Sequence, residues 1–267
     1  MPWFLPLKQY IWATKDFHLY LRLTPCVAFK MFYTRGKAAD DLKSTMQSLI
    51  SKQVKDKEVA MRLTPNYDIG CKRPTISDIY LPTFNNPCVE LNTTGIKRIT
   101  SEGIVTADER ELQFDTIVFA TGFDVTRSIN AFVQVGSENK NFAEEDTPRA
   151  FLGITKPNQP NFFMLFGPGT INTSVIFMIE CQAEYIINGI TKMLKIDAKA
   201  MSLKPSVLDK FEEFLREKNA TTAFGHGDCT SYYKNSAGEN WVVWTRLMWQ
   251  YWWRTRKFKL EDYELVF

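Results

Sequence analysis

Two short stretches of this 267-residue chain hold residue types that let a backbone come close to a ligand. In residues 115–124 (DTIVFATGFD) an apolar run ends in the small residues Ala120, Thr121 and Gly122. Such an end leaves room for a bound group where the strands of an open α/β sheet deliver their C-termini. In residues 162–170 (FFMLFGPGT) a second apolar run closes on Gly167-Pro168-Gly169 and leads into a helix. The first N–H groups of a helix suit a partial negative charge. Either stretch alone is ordinary architecture; together, in this order, they point to ligand chemistry. Other chemistries lack their parts. Nucleophilic hydrolysis needs a serine or cysteine beside a histidine, yet only His18 and His226 are present and no G-x-S-x-G occurs. The run 225–229 (GHGDC) offers a few metal ligands, but no second cluster completes a coordination shell, so a turn with an incidental histidine is the preferred reading. Neither G-x-x-x-x-G-K-[ST] nor G-x-G-x-x-G is found.

The elements that would carry these stretches are read from periodicity. Across residues 40–54, Leu42, Met46, Leu49, Ile50 and Val54 fall at helical spacing. A second helical piece runs to about Leu63, where Thr64-Pro65 stops it. The period then changes. Residues 88–91, 96–100, 104–106 and 111–119 are short β-type runs divided by turn residues such as Gly95 and Gly103. Within the last of these, 116–120 reads as a strand buried on both faces of a parallel sheet, and 161–166 (NFFMLF) as a second. Residues 128–145 are polar and predict an exposed loop. Residues 174–194 predict a long, largely buried helix, with Val175, Ile176, Met178, Ile179, Ile186 and Ile190 among its apolar positions. Residues 206–218 predict another, carrying Leu208, Phe211 and Leu215 on one face behind Ser206 as N-cap. The tail is expected to hold strand-like pieces and an aromatic block.

Composition bounds the rest. The chain is 45% hydrophobic and 24% charged, which predicts a globular body and excludes disorder throughout. Thirty-three Lys and Arg against 30 Asp and Glu give a net charge of +3, too weak to imply a nucleic-acid partner without a local patch. Five cysteines, odd in number and never spaced C-x-x-C, suggest neither a disulfide framework nor a structural zinc site. A reducing compartment follows. No run approaches the roughly 18–20 apolar residues of a membrane span, and residues 1–23 lack the order of a secretory signal. A cytoplasmic location is expected, with loose membrane association left open. The aromatic block Trp241, Trp244, Trp249, Tyr251, Trp252 and Trp253, followed by Arg254, Arg256, Lys257 and Lys259, has two readings. One is a peripheral membrane anchor spanning Trp241 to Lys259. The other, which is favoured, is packing against the domain's own body.

In these stretches the chain resembles the class B flavoprotein monooxygenases of Baeyer–Villiger type, in particular the branch acting on aromatic ketones. The matching segments are 63–74 (LTPNYDIGCKRP), 114–124 (FDTIVFATGFD), 151–170 (FLGITKPNQPNFFMLFGPGT), 174–186 (SVIFMIECQAEYI), 228–240 (DCTSYYKNSAGEN) and 254–265 (RTRKFKLEDYEL), with 3–6 (WFLP) at the start. They cover nearly the whole chain, in order, but only about the C-terminal half of a family member. The resemblance implies an α/β fold made of the closing parts of two dinucleotide-binding domains. Residues 1–113 would belong to the NADP-binding domain with a helical insert, and 114–267 to the FAD-binding domain. It implies FAD and NADPH as cofactors, and O₂ with a small organic molecule as substrates. By position, Arg73 matches the active-site arginine that faces the flavin, where a permanent cation stabilises negative charge developing on oxygen. Lys72 matches the lysine that meets the 2′-phosphate of NADPH. Thr121 and Gly122 match small residues beside the dinucleotides, and Gly167, Pro168 and Thr170 the loop at the pyrimidine end of the flavin.

The sequence also departs from the family. The two glycine-rich fingerprints, for FAD and for NADPH, have no counterpart in these residues, nor has the histidine–tryptophan signature between them. The loop 167–174 is about two residues short, Tyr232 stands where tryptophan is usual, and Trp244-Thr245 replaces tryptophan-proline. Without a first βαβ unit no backbone is available for either pyrophosphate, so the chain alone is expected to be inactive. Residues 116–120 and 161–166 would then lack sheet neighbours and expose apolar edges. Three readings follow: a monooxygenase represented by a fragment, a non-catalytic remnant that binds a protein or membrane surface, and an enzyme completed by a second chain.

Overall fold

Residues 36–73, 75, 77–125, 147–172, 174–223 and 230–267 are described by a computed structural model of the chain. They fall into two compact units: the described residues of 41–66 and 74–123, and a larger one formed by 36–40, 67–73 and the described residues of 124–267. The polar loop expected at 128–145, the GHGDC run and the WFLP segment lie outside the described residues, as do His18 and His226.

In the smaller unit the helical period of the sequence becomes α1 (Lys37–Gln53) and α2 (Lys57–Leu63). Asp56 starts α2 by accepting the N–H groups of Glu58 at 2.8 Å and Val59 at 3.1 Å, which satisfies donors that have no partner inside the helix. Thr64 closes it, as the following proline requires. Asn85 joins the two helices: its side chain accepts from the Lys55 N–H at 2.8 Å and donates to the Gln53 carbonyl at 2.7 Å. A small apolar cluster of Ile50, Val54 and Ala60 sits beneath them, with Leu81 and Phe84 from around α3 (Tyr80–Thr83). The β-type runs form an antiparallel meander of β1 (Ile96–Ile99), β2 (Gly103–Thr106) and β3 (Glu111–Gln113). Ile99 pairs with Ile104, and Val105 with Glu111. Residues 88–91, also expected as a strand, are not one.

The larger unit is built on α4 (Val175–Lys195), capped by Ser174, whose hydroxyl accepts the Phe177 N–H. One face of α4 buries Phe177, Met178, Cys181, Tyr185 and Gly189. The opposite face leaves Ile176, Ile187 and Leu194 exposed, so the helix is half-buried rather than largely buried. Behind it β4 (Ala200–Leu203) pairs antiparallel with β5 (Tyr263–Val266), from Ala200 opposite Val266 to Leu203 opposite Tyr263. Between them lies α5 (Pro205–Asn219), which begins one residue earlier than expected: Pro205 takes the first turn and Lys204, not Ser206, is the N-cap. The tail holds the expected strand-like piece as β5, while its aromatic block forms α6 (Met248–Thr255), packed on α4.

The core of this unit is aromatic. Trp244 meets Tyr251 edge-on at 5.1 Å, Phe258 stacks on Tyr263 at 4.6 Å, and Tyr185 tilts against Phe258 at 4.8 Å. Trp241 and Trp244 are buried here, as the packing reading expected, whereas Trp249 and Trp253 face outward. The block's cations also fold back. The guanidinium groups of Arg246 and Arg254 each lie 3.8 Å from the centre of the Phe214 ring, and Arg256 lies over Trp252 at 4.5 Å. No described helix is long and apolar enough to cross a membrane.

Two expectations fail for one reason. Residues 116–120 and 161–166 are not strands. An extended segment becomes a strand only when a neighbour accepts a ladder of its hydrogen bonds. Residues 116–120 join no sheet among the described residues, and 161–166 make only scattered bonds, from the Asn161 N–H to the Met201 carbonyl and from the Met164 N–H to the Ile154 carbonyl. Nor are they buried: Val118 is 83% exposed, Phe119 69% and Leu165 54%. The apolar edges expected to lie open do lie open.

Candidate functional site

The loop 167–170 is the best-defined part of the predicted site. Gly167 lies so close to Gly153 that a Cβ added to it would meet the Gly153 carbonyl oxygen at 2.3 Å. Gly153 is itself in the left-handed region, at φ +65°, with the Thr170 methyl beside it. Both glycines are therefore fixed by close backbone contact. The buried Thr170 hydroxyl donates to the Gly167 carbonyl, which closes the loop on itself. A parallel bridge joins Ile171 to Val243: the N–H groups of Gly169 and Ile171 donate to the Trp241 and Val242 carbonyls at 2.9 and 3.0 Å, and the Trp244 N–H returns to the Ile171 carbonyl. Asn172 adds two side-chain bonds, to the Trp244 and Arg246 carbonyls. The loop is rigid, and α4 points its N-terminal amides out of it.

Sequence reasoning missed the residues beneath this loop. Gln182, fully buried, accepts the Phe166 N–H at 2.8 Å and donates to the Tyr251 hydroxyl at 3.0 Å. That hydroxyl donates in turn to the Leu152 carbonyl at 2.6 Å. Burial pushes the Tyr251 phenol far above the ordinary tyrosine range and keeps it protonated, as this donor role needs. The signal was present: Gln182 is an amide among the apolar positions of an amphipathic helix.

Beside the loop opens a cavity of about 620 Å³ that Pro168, Gly169, Arg149, Arg216, Asn240 and Trp241 help to line. Arg149 is held by Asp209 at 3.0 Å and Glu212 at 2.5 Å, and these carboxylates raise its affinity for its proton, Glu212 most. The Trp241 indole N–H is buried and has no acceptor among the described residues.

The remaining site residues are surface groups. Lys72 and Arg73 are exposed and belong to the same compact unit as Gly167, Pro168 and Thr170. Lys72 places its ammonium 5.0 Å over the Tyr67 ring. Immediately before them Cys71 is fully buried and disulfide-bonded. The scattered cysteines had suggested no crosslink, but spacing along the chain does not report separation in the fold. Cys88 and Cys181 are not disulfide-bonded. Thr121 and Gly122 are exposed in the other unit, Gly122 at φ +94° with open space where a side chain would stand. No group of residues that could hold a metal ion is found among the described residues.

Comparison with known proteins gives these features a context. No family model matches the chain. It is 32% identical over 222 residues to a Baeyer–Villiger monooxygenase of Pseudomonas aeruginosa, a match that spans 81% of this chain and 42% of that protein. It is 37% identical over 215 residues to the FAD-binding monooxygenase ktnD of Aspergillus niger, across 76% of this chain and 35% of that protein. Its backbone matches an oxidized steroid monooxygenase bound to NADP with a TM-score of 0.75 and 25% identity, over 89% of this chain and 47% of that one. The chain thus spans less than half the length of the relatives it matches, and its α/β fold is a partial form of a two-dinucleotide-binding flavoprotein. Over about four-fifths of its length the chain is similar to proteins named Baeyer–Villiger monooxygenase, in Pseudomonas aeruginosa and in Streptomyces coelicolor.

Proposed function

We propose that this chain contributes the flavin-ring side of an NADPH- and FAD-dependent monooxygenase that inserts one oxygen atom beside a ketone carbonyl or onto a soft heteroatom. The observation that carries this reading is the match, over about four-fifths of the chain, to a Baeyer–Villiger monooxygenase of Pseudomonas aeruginosa. The residues present suit one end of such a cofactor. The rigid loop 167–170 and the N-terminal amides of α4 offer a fixed edge with positive partial charge. Gly122 leaves its backbone open to close approach. They do not suit the phosphate end, because no glycine-rich βα turn lies in the sequence. When bound, reduced FAD supplies the activation of O₂. The chain's own part is electrostatic. Arg73 supplies a guanidinium cation that stabilises negative oxygen in the reacting pair. Lys72 meets the 2′-phosphate of NADPH as a point charge. Residues 1–113 and 114–267 would be the parts belonging to the NADP- and FAD-binding domains.

The test is a chimera of the Pseudomonas aeruginosa relative in which this chain replaces the matched region. It should retain FAD and show ketone-dependent NADPH oxidation. Arg73→Ala in that chimera should cost at least 100-fold in oxygenated product while FAD stays bound, the scale of losing one transition-state donor (about 10²–10³). Unchanged product formation in a chimera that binds FAD would remove Arg73 from the reaction. A second reading, a non-catalytic module that binds a protein surface, is favoured by the exposure of Val118, Phe119 and Phe123. It calls for a chain that self-associates or captures a partner through this segment, and Phe119→Ser should abolish that association.

A further inference from the structure

One cavity of the larger unit lies outside the candidate site. It measures about 690 Å³ and is lined by Lys192, Lys195 and Ile196 at the end of α4 and by the turn 257–261. Its apolar lining comes from Ile196 and Leu260, with the buried Phe258 beneath them. Its rim is cationic, with Lys192, Lys195, Lys257 and Lys259 against the single carboxylate Glu261. The helix dipole accounts for Lys192 and Lys195 at the C-terminus of α4. It does not account for Lys257 and Lys259, which arrive from the segment after α6. Few of these charges are used. Lys192 donates to the Phe258 carbonyl, and Lys259 approaches Glu261 only to 3.8 Å, with both side chains more than half exposed. Lys195 and Lys257 make no ion pair among the described residues. A chain whose net charge is only +3 thus gathers four cations around one apolar cleft.

We infer that this cleft binds a free anionic amphiphile, a single acyl chain whose carboxylate head sits among the lysines while its tail covers Ile196 and Leu260. The volume is in the range of small-molecule sites. The charge selects the head and the floor selects the tail. A purely polar anion would leave the floor wet, and a neutral alkane would leave the cations unpaired. This binding is separate from the proposed oxygenation and does not depend on it.

The test is calorimetric titration of the full chain with dodecanoate below its micellar concentration, beside decanoate, octanoate and dodecyltrimethylammonium. One dodecanoate should bind per chain, with dissociation constants rising about three- to four-fold for each methylene removed from the tail and rising further with salt. The cationic amphiphile should not compete. Lys195→Glu with Lys257→Glu should weaken binding at least ten-fold, and an unchanged melting temperature would show that the fold survives. Ile196→Asp should abolish the dependence on tail length. Several equivalent sites per chain, equal binding of the cationic amphiphile, or indifference to charge reversal would each overturn the inference. So would sedimentation with anionic vesicles that dodecanoate fails to displace, because the face would then belong to a bilayer.

Discussion

Tyr251→Phe removes one oxygen atom and should destabilise the larger unit far beyond the size of the change. The phenol is fully buried and serves two partners, donating to the Leu152 carbonyl at 2.6 Å and accepting from Gln182 at 3.0 Å. Leu152 sits at φ +54°, a region that leucine rarely occupies, and its carbonyl accepts no other bond among the described residues. The substitution leaves that carbonyl and one Gln182 N–H buried without partners. At about 1–3 kcal/mol for each of the two stranded groups, with almost no cavity term, the loss should be about 2–6 kcal/mol. Urea unfolding reads it as a lower midpoint at constant slope. Gln182→Leu should cost a similar amount, because it strands the Phe166 N–H. The double variant should lose less than the sum of the two, by roughly 1 kcal/mol or more, since removing both ends of a hydrogen bond leaves fewer orphans than removing either. A Tyr251→Phe loss under about 0.5 kcal/mol, or strict additivity, would show that the hydroxyl chain does not hold the loop.

Two further outcomes follow from the same core. Burial, above all, raises the phenol pKa of Tyr185, Tyr251 and Tyr263, the last to about 12. A folded-state pKa raised above the unfolded value near 10 gives stability that is complete below about pH 10 and is lost as pH rises through the folded value. With three such groups the unfolding free energy should fall by up to about 4 kcal/mol per pH unit between pH 10 and 12, and Tyr251→Phe should remove about a third of that slope. Stability that stays flat across this window, measured by denaturant midpoints, would contradict the burial of these phenols. Gly189→Ala should destabilise the protein even though alanine is the better helix former by about 1 kcal/mol. The new Cβ would meet the Phe258 ring at 2.5 Å, and that ring is wedged between Tyr185 and Tyr263. Overpacking of about 1–3 kcal/mol should exceed the propensity gain, so a higher melting temperature would refute the contact.

What could be read from the sequence divides along a physical line. Four helices, α1, α2, α4 and α5, and the meander were legible because their signals are local: Thr64-Pro65 at the end of α2, the apolar stripe of α4, the turn between Ile99 and Ile104; α3 and α6 were not. Residues 116–120 and 161–166 misled because an apolar run says only that a segment should be covered, not that a cover is present. The same distinction explains the aromatic content. Trp244, Tyr251, Phe258 and Tyr263 find each other inside the larger unit, while Phe114, Phe119, Phe123 and Phe166 carry the same chemistry and face outward. The site divides likewise. Thr170, Gly167 and Pro168 are held by bonds the loop makes with its own unit, so their positions were implied by their spacing. The roles of Lys72, Arg73, Thr121 and Gly122 depend on a cofactor whose phosphate end the sequence has no residues to hold, and all four stand exposed. The relatives are more than twice the length of the matched region. Arg73 stands exposed on this chain, so the role proposed for it is tested in the chimera, where the relative's remaining residues are present.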